Sequence, residues 1–242
     1  MPKTMLAVTK SFVPFLSFPT LCLAYLVQLT VKKLLMLKRT MGRSLLTLLV
    51  ITGLAGTIND SSLSQKERKF GVNMFKETRD AALTATKGLS EGQLNFKTAP
   101  DKWSIKECMF HIAAAEKLLW TMFEGTMKAP ANPEKRSEIK VTDEQVVQMV
   151  QDRTKKAQAP ETIQPKNTGF NSLEEGINDF KRNRGEHIKY LKNSTEDLRN
   201  HVVQMPVGYI DCYQFLLFMA AHSNRHTQQI NEVKADPGFP AN

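Results

Sequence analysis

The sequence predicts an all-α fold, a four-helix bundle with an extra short helix in one connection. Three observations carry this. Apolar residues recur at spacings of three and four along five segments. Each segment opens on a Ser, Thr or Asp with Glu or Gln three residues later, a pair that satisfies the first free N–H groups of a helix. Strand signals (strict alternation, Asn-Gly turns) are essentially absent.

The first segment, 64–87, opens on Ser64 and Glu67 and ends before Gly88, a residue that closes helices readily. The second, 104–127, opens on Ser104 and Glu107, between Pro100-Asp101 and the break from Ala129 to Pro133. The third, 142–157, opens on Thr142 and Gln145 and is the short helix in a connection. A polar stretch from Ala157 to Gly169, with Pro160 and Pro165, separates it from the fourth, 172–195, which opens on Ser172 and Glu175. The fifth, 211–234, opens on the looser pair Asp211 and Gln214 and stops at Asp236-Pro237-Gly238. At 1.5 Å per residue the long segments reach about 30 Å each, enough to surround one core.

The bundle is expected within residues 60–242, because residues 1–59 read as a leader. Before Asp60 there is no acidic residue, yet there are seven basic ones: Lys3, Lys10, Lys32, Lys33, Lys38, Arg39 and Arg43. Removing those seven from 33 leaves 26 basic side chains against all 24 acidic ones, so the formal charge of +9 belongs mostly to the leader. The remainder is nearly balanced and lacks a basic aromatic patch, which argues against nucleic acid as a partner.

Two apolar runs divide the leader. Ser11 to Val31 is long enough to span a bilayer but contains Pro14 and Pro19. Ser44 to Gly56 follows Lys38, Arg39 and Arg43 and ends in Gly53-Leu54-Ala55, so residues 36–55 read as a secretory signal peptide cleaved after Ala55. Residues 1–35 are then upstream sequence ahead of a start at Met36 or Met41; the alternative is a membrane anchor. Either way the bundle is expected outside the cytoplasm, in the periplasm, with membrane contact only through an uncleaved N-terminus. Of three cysteines, Cys22 falls in the leader, and Cys108 and Cys212 read as small core residues.

The last segment carries the chemistry. Cys212, Phe215, Met219, His222, His226, Ile230 and Val233 share one face, so two histidines one turn apart stand where core residues are expected. That spacing lets two imidazoles converge on one metal ion. In the second segment His111 lies on the stripe Cys108, His111, Ala115, Leu118 and Met122. Three inward histidines from facing helices would leave a coordination position open, as in catalytic zinc sites; Ni²⁺ or Fe²⁺ would also accept them. Hydrogen-bonded core histidines are the plain alternative. His187 lies on the stripe Phe180, Arg184, His187 and Leu191, and His201 reads as solvent-facing in a connection.

Lys102-Trp103-Ser104-Ile105-Lys106-Glu107, His111-Ile112 with Glu116, and the block from Ala221 through His222 and His226 to Gln229-Ile230 resemble the DinB-like (DinB/YfiT) superfamily over roughly residues 64–236. The resemblance implies a four-helix bundle, often dimeric, with His111, His222 and His226 as ligands of one divalent ion. Some relatives are thiol-dependent transferases or isomerases; a leader for export departs from their reducing setting. Gln229 and Glu116 are candidates to orient the ligand rings, although Glu116, five residues from His111, points about 140° away, toward a neighbouring helix. Trp103 reads as a plug over the bundle end. The expected function is metal-dependent hydrolysis or group transfer on an unknown small molecule. The alternative is a metal-binding or structural module without turnover.

Overall fold

A computed structural model describes residues 63–241; the expected signal peptide, anchor and cleavage point lie outside the described residues. The helices are α1 (Gln65–Thr86), α2 (Glu91–Asn95), α3 (Ile105–Lys128), α4 (Asp143–Gln151), α5 (Leu173–Asn193) and α6 (Cys212–Lys234). Short 3-10 turns cover Pro133–Glu138, Glu161–Ile163, Pro165–Asn167 and Leu198–Asn200. None of the described helices is long and apolar enough to cross a membrane.

The reciprocal caps form as the sequence predicts at Ser64 with Glu67, Ser104 with Glu107, Thr142 with Gln145 and Asp211 with Gln214. At α5, Ser172 accepts from the Glu175 N–H, but the Glu175 carboxylate takes the N–H of Asn171 at 2.9 Å. α2 was not expected, although Ser90 and Gln93 make the same reciprocal cap at its start. α4 ends at Gln151, six residues before the expected limit. There Asp152 turns its carboxylate to the N–H and hydroxyl of Thr154, a local bond that competes with helix continuation.

A β-hairpin is the clearest departure. β1 (Val202–Met205) pairs antiparallel with β2 (Gly208–Asp211), Met205 opposite Gly208, which sits at φ +108°. Its four-residue strands are too short to display alternation, and its Pro206-Val207 turn lacks the Asn-Gly signature. The hairpin leads straight into α6, whose first N–H, from Cys212, bonds the carbonyl of His201 at 2.9 Å.

The four long helices form a ring in the order α1, α5, α3, α6, so α1 and α3 lie across a diagonal, as do α5 and α6. α1 and α5 come close at Gly71, where a Cβ would meet Leu191 Cδ2 at 2.7 Å. α4 packs on the outside of α6 through Val146 and Val150. Two apolar clusters fill the ring. One gathers Phe75, Phe123, Leu191, Tyr213 and Phe215; the other gathers Ile105, Met109, Ile112, Phe180 and Ile230. Cys108 and Cys212 are buried free thiols, and burial pushes Cys212 up to about 12.

Between the clusters lies a polar layer. Arg184 is fully buried, and all five of its N–H donors are used. Nε and one Nη2 hydrogen go to Glu116 at 2.7 Å each, the other Nη2 hydrogen to Ser223 Oγ at 2.8 Å. Nη1 reaches Thr78 Oγ1 at 2.7 Å and the Phe75 carbonyl at 3.2 Å. His187 Nδ1 donates to Glu116 at 2.7 Å, and its ring stacks on Trp120 at 4.0 Å. Each helix of the ring contributes to this layer.

Candidate metal centre

α3 and α6 lie side by side in the ring, so inward positions on both can meet. His111 on α3 and His222 and His226 on α6 do meet: ring centroids are 5.2 Å apart for His111–His222, 4.3 Å for His111–His226 and 4.6 Å for His222–His226. One ligand nitrogen from each lies within 4.8 Å of the other two. That spacing would let the three residues hold one divalent ion between them. His111 and His226 are buried; His222 is half-buried.

Hydrogen bonds assign the nitrogens. His111 Nδ1 lies 2.8 Å from the carbonyl of Ile163. A carbonyl only accepts, so Nδ1 carries the proton and Nε2 keeps its lone pair. His226 Nδ1 lies 3.0 Å from Gln229 Oε1, with the same consequence when the amide is placed with its oxygen toward the ring. Gln229 is itself held by Arg153, at 3.4 Å, which is paired with Glu232 at 2.7 Å. The donor set therefore fits a divalent ion: neutral imidazoles, two with fixed tautomers.

Electrostatics favour the neutral rings. Burial pushes the His111 imidazole down, against the Ile163 hydrogen bond. Burial and then the charge of His111 push His222 down to about 3. His226 is lowered well below its ordinary value by burial and by the charges of His222 and His111.

Two parts of this surround were not expected from the sequence. Trp103, read as a plug, lies against the site itself, 4.8 Å from His111 and 5.9 Å from His226 between ring centroids. The Ile163 carbonyl comes from a proline-bounded segment with no periodic signal. That segment follows α4, whose end is held by Arg225 through the carbonyls of Val150, Asp152 and Lys155.

The structure places the remaining candidates elsewhere. Glu116, expected among the orienting groups, spends both carboxylate oxygens on Arg184 and His187. Its direction around α3 is the reason: it faces α5. Burial would raise its carboxyl, but the Arg184 charge and the hydrogen bonds from His187 and Arg184 outweigh burial and bring it down to about 2. His201 is half-buried, with Nδ1 3.2 Å from the Thr126 carbonyl, and so is not simply solvent-facing.

The model of the DinB superfamily matches residues 74–230, a span that includes all three histidines. The chain belongs to the DinB superfamily. Among curated proteins it is similar to the uncharacterized protein YuaE of Bacillus subtilis (strain 168), 27% identical over 165 residues, covering 67% of this chain and 96% of that protein. Among solved structures it is similar to YfiT from Bacillus subtilis, with a TM-score of 0.51 and 13% identity over 74% of this chain and 92% of that one. YfiT is described as a probable metal-dependent hydrolase with an unusual four-helix bundle topology. At that identity the likeness concerns the fold alone, a four-helix bundle.

Proposed function

We propose that the protein is a metal-dependent enzyme, a hydrolase or group transferase acting on a small molecule, with His111, His222 and His226 holding one Zn²⁺, Ni²⁺ or Fe²⁺ ion. The observation that carries this reading is the convergence of three neutral imidazoles, two with Nδ1 committed to an oxygen, at one point in the bundle. Among the described residues the cluster contains three ligands and no carboxylate or thiol. Three protein ligands match catalytic zinc sites, whereas structural sites close with four. When bound, such an ion supplies Lewis acidity, which acidifies water or a thiol and polarises a carbonyl. The description of YfiT as a probable metal-dependent hydrolase supports the same reading.

The chain's own residues then have distinct tasks. Gln229 and the Ile163 carbonyl orient the His226 and His111 rings and hold a proton on each Nδ1. Trp103 walls one side of the site and keeps bulk water from it. We extend the proposal to export, because the acid-free leader ends in a signal-peptide pattern; N-terminal sequencing of protein from its native host should begin at Gly56.

Elemental analysis tests the metal reading on protein purified without chelator or polyhistidine tag. One equivalent of metal is expected, lost in both His222→Ala and His226→Ala while helical circular dichroism persists. Unchanged metal content in the two variants would sink the assignment.

A further inference from the structure

The tautomer of His226 depends on an amide, and an amide can be turned over. Gln229 presents Oε1 to His226 Nδ1 at 3.0 Å. Rotated by half a turn, the same side chain would present its NH2 group instead. His226 Nδ1 would then have to accept, its proton would move to Nε2, and the nitrogen left for a metal ion would lose its lone pair. His226 and Gln229 alone do not decide between the two arrangements, because each satisfies the pair.

Arg153 decides. Its Nη1 lies 3.4 Å from the same Gln229 Oε1. A guanidinium has donors only, so it tolerates the amide oxygen as a neighbour and repels the amide NH2. The arginine is itself fixed from two sides. Glu232, one turn beyond Gln229 on α6, accepts from Nε at 3.1 Å and from Nη2 at 2.7 Å, a paired geometry that fixes the guanidinium plane. On the other side Arg153 follows the end of α4, where the last carbonyls have no partner within the helix. Arg225 reaches from α6 to the carbonyls of Val150, at 3.2 Å, Asp152 and Lys155, which bracket residue 153. Arg225 thus stands between His222 and His226 in the sequence while it bonds the backbone of another element.

His111 is held separately, although by the same connection. Its acceptor, the Ile163 carbonyl at 2.8 Å, lies ten residues beyond Arg153. The turns around it pack on α3 through the buried Ile163 and Pro165. They are also tied internally by Asn167 Nδ2, which donates to the Glu161 carbonyl at 2.8 Å. One connection therefore reaches two rings of the triad through two different anchors.

We infer that Arg153 is a positioning residue of the metal centre: by admitting only the oxygen of Gln229 it sets the tautomer of His226, and Arg225 and Glu232 set Arg153. The consequence for metal affinity rests on the metal reading above. The tautomer belongs to the metal-free protein and is tested without it.

The full-length chain, isotope-labelled at histidine nitrogen and treated with chelator, reports its tautomers at neutral pH through long-range proton–nitrogen correlations. The parent should show Nδ1–H at both His111 and His226. Arg153→Met, at a side chain 25% exposed, should keep its helical circular dichroism. It should turn His226 into a mixture of tautomers and leave His111 as it was. Arg225→Met should do the same with Arg153 still present. Arg153→Lys keeps a donor-only cation and should restore the parent pattern at His226. Zinc affinity, read by competition with a chromophoric chelator, should fall about tenfold in Arg153→Met and recover in Arg153→Lys. An unchanged His226 tautomer in Arg153→Met, or a shift of His111 and His226 together, overturns the inference. Parent protein that takes up no zinc, yet loses the His226 tautomer selectively in Arg153→Met, would remove the metal reading and leave the role of Arg153 standing.

Discussion

Neighbouring residues on α6, His222 and Ser223, belong to two buried polar groups of opposite character. Around Arg184, every guanidinium hydrogen has an acceptor, the Glu116 carboxylate has three donors, and opposite charges meet. Around His222, three like groups are pressed together; burial discourages all of them from taking a proton, and the charges of neighbouring rings add to this at His222 and His226. The first group is complete without anything else. The second gains nothing from its own assembly and is intelligible as a set of lone pairs aimed at a cation. Burial of polar groups alone thus separates neither structure from function; whether the groups satisfy one another does.

The largest effect should come from breaking the complete group. Glu116→Gln leaves the Arg184 charge buried without its counter-charge, and stability measured by urea unfolding should fall by about 3–5 kcal/mol. A Glu116→Leu/Arg184→Met double variant removes both charges. Thr78 and Ser223 keep their hydroxyl bonds to the carbonyls of Met74 and Ala220 in that case, so at least half of the loss should be regained. A single-variant loss below about 1 kcal/mol would show that the layer does not hold the bundle together.

The two groups should also separate on the pH axis in chelator-treated protein. The triad imidazoles have lowered pKa values in the folded state, so the unfolded chain binds protons more readily, and stability falls as pH drops below about 6.5. Glu116 behaves as a depressed carboxylate. Its contribution is full above about 4.5 and is lost as pH falls toward about 2. Urea midpoints against pH should therefore show two limbs. His226→Asn should flatten the upper one by up to about 1.4 kcal/mol per pH unit, and Glu116→Gln the lower one. An unchanged upper limb in His226→Asn would mean that its ring is not held neutral.

The triad was legible in the sequence because helical periodicity fixes direction: His222 and His226 could only point inward, and His111 shared their pattern on a second helix. The same arithmetic sent Glu116 away from them. What lay beyond reach depended on backbone or on distant partners. The Ile163 carbonyl belongs to a segment without period, so nothing in the side chains announces it. Arg184 and His187 were visible on an apolar stripe, but their acceptor is some 70 residues away in sequence, and one helix cannot name its partner. The β-hairpin escaped because two four-residue strands pair only with each other. Ser90-Glu91-Gly92-Gln93 carried a legible cap signal, but the five-residue helix that follows is too short to show a period.

The oriented ring offers a finer cut. Gln229→Leu removes the acceptor for His226 Nδ1–H and frees the tautomer, so metal affinity by competition with a chromophoric chelator should fall about 10–100-fold. Stability without metal should change little, because Gln229 is only half-buried. Equal affinity would reassign Gln229 to its contact with Arg153.

The smallest expected effect asks whether the two groups communicate. Ser223 accepts from Arg184 Nη2 at 2.8 Å and donates to the Ala220 carbonyl at 2.9 Å, directly beside His222 in the chain. Ser223→Ala leaves one buried guanidinium hydrogen without an acceptor, for a loss of about 1 kcal/mol in urea unfolding. If the groups are independent, metal affinity stays within about threefold of the parent, because no bond to a triad ring is touched. A larger loss of affinity would mean that the Arg184 layer sets the position of His222 through the α6 backbone. The complete group would then be part of the scaffold that aims the incomplete one, and Glu116→Gln should weaken metal binding as well as the fold.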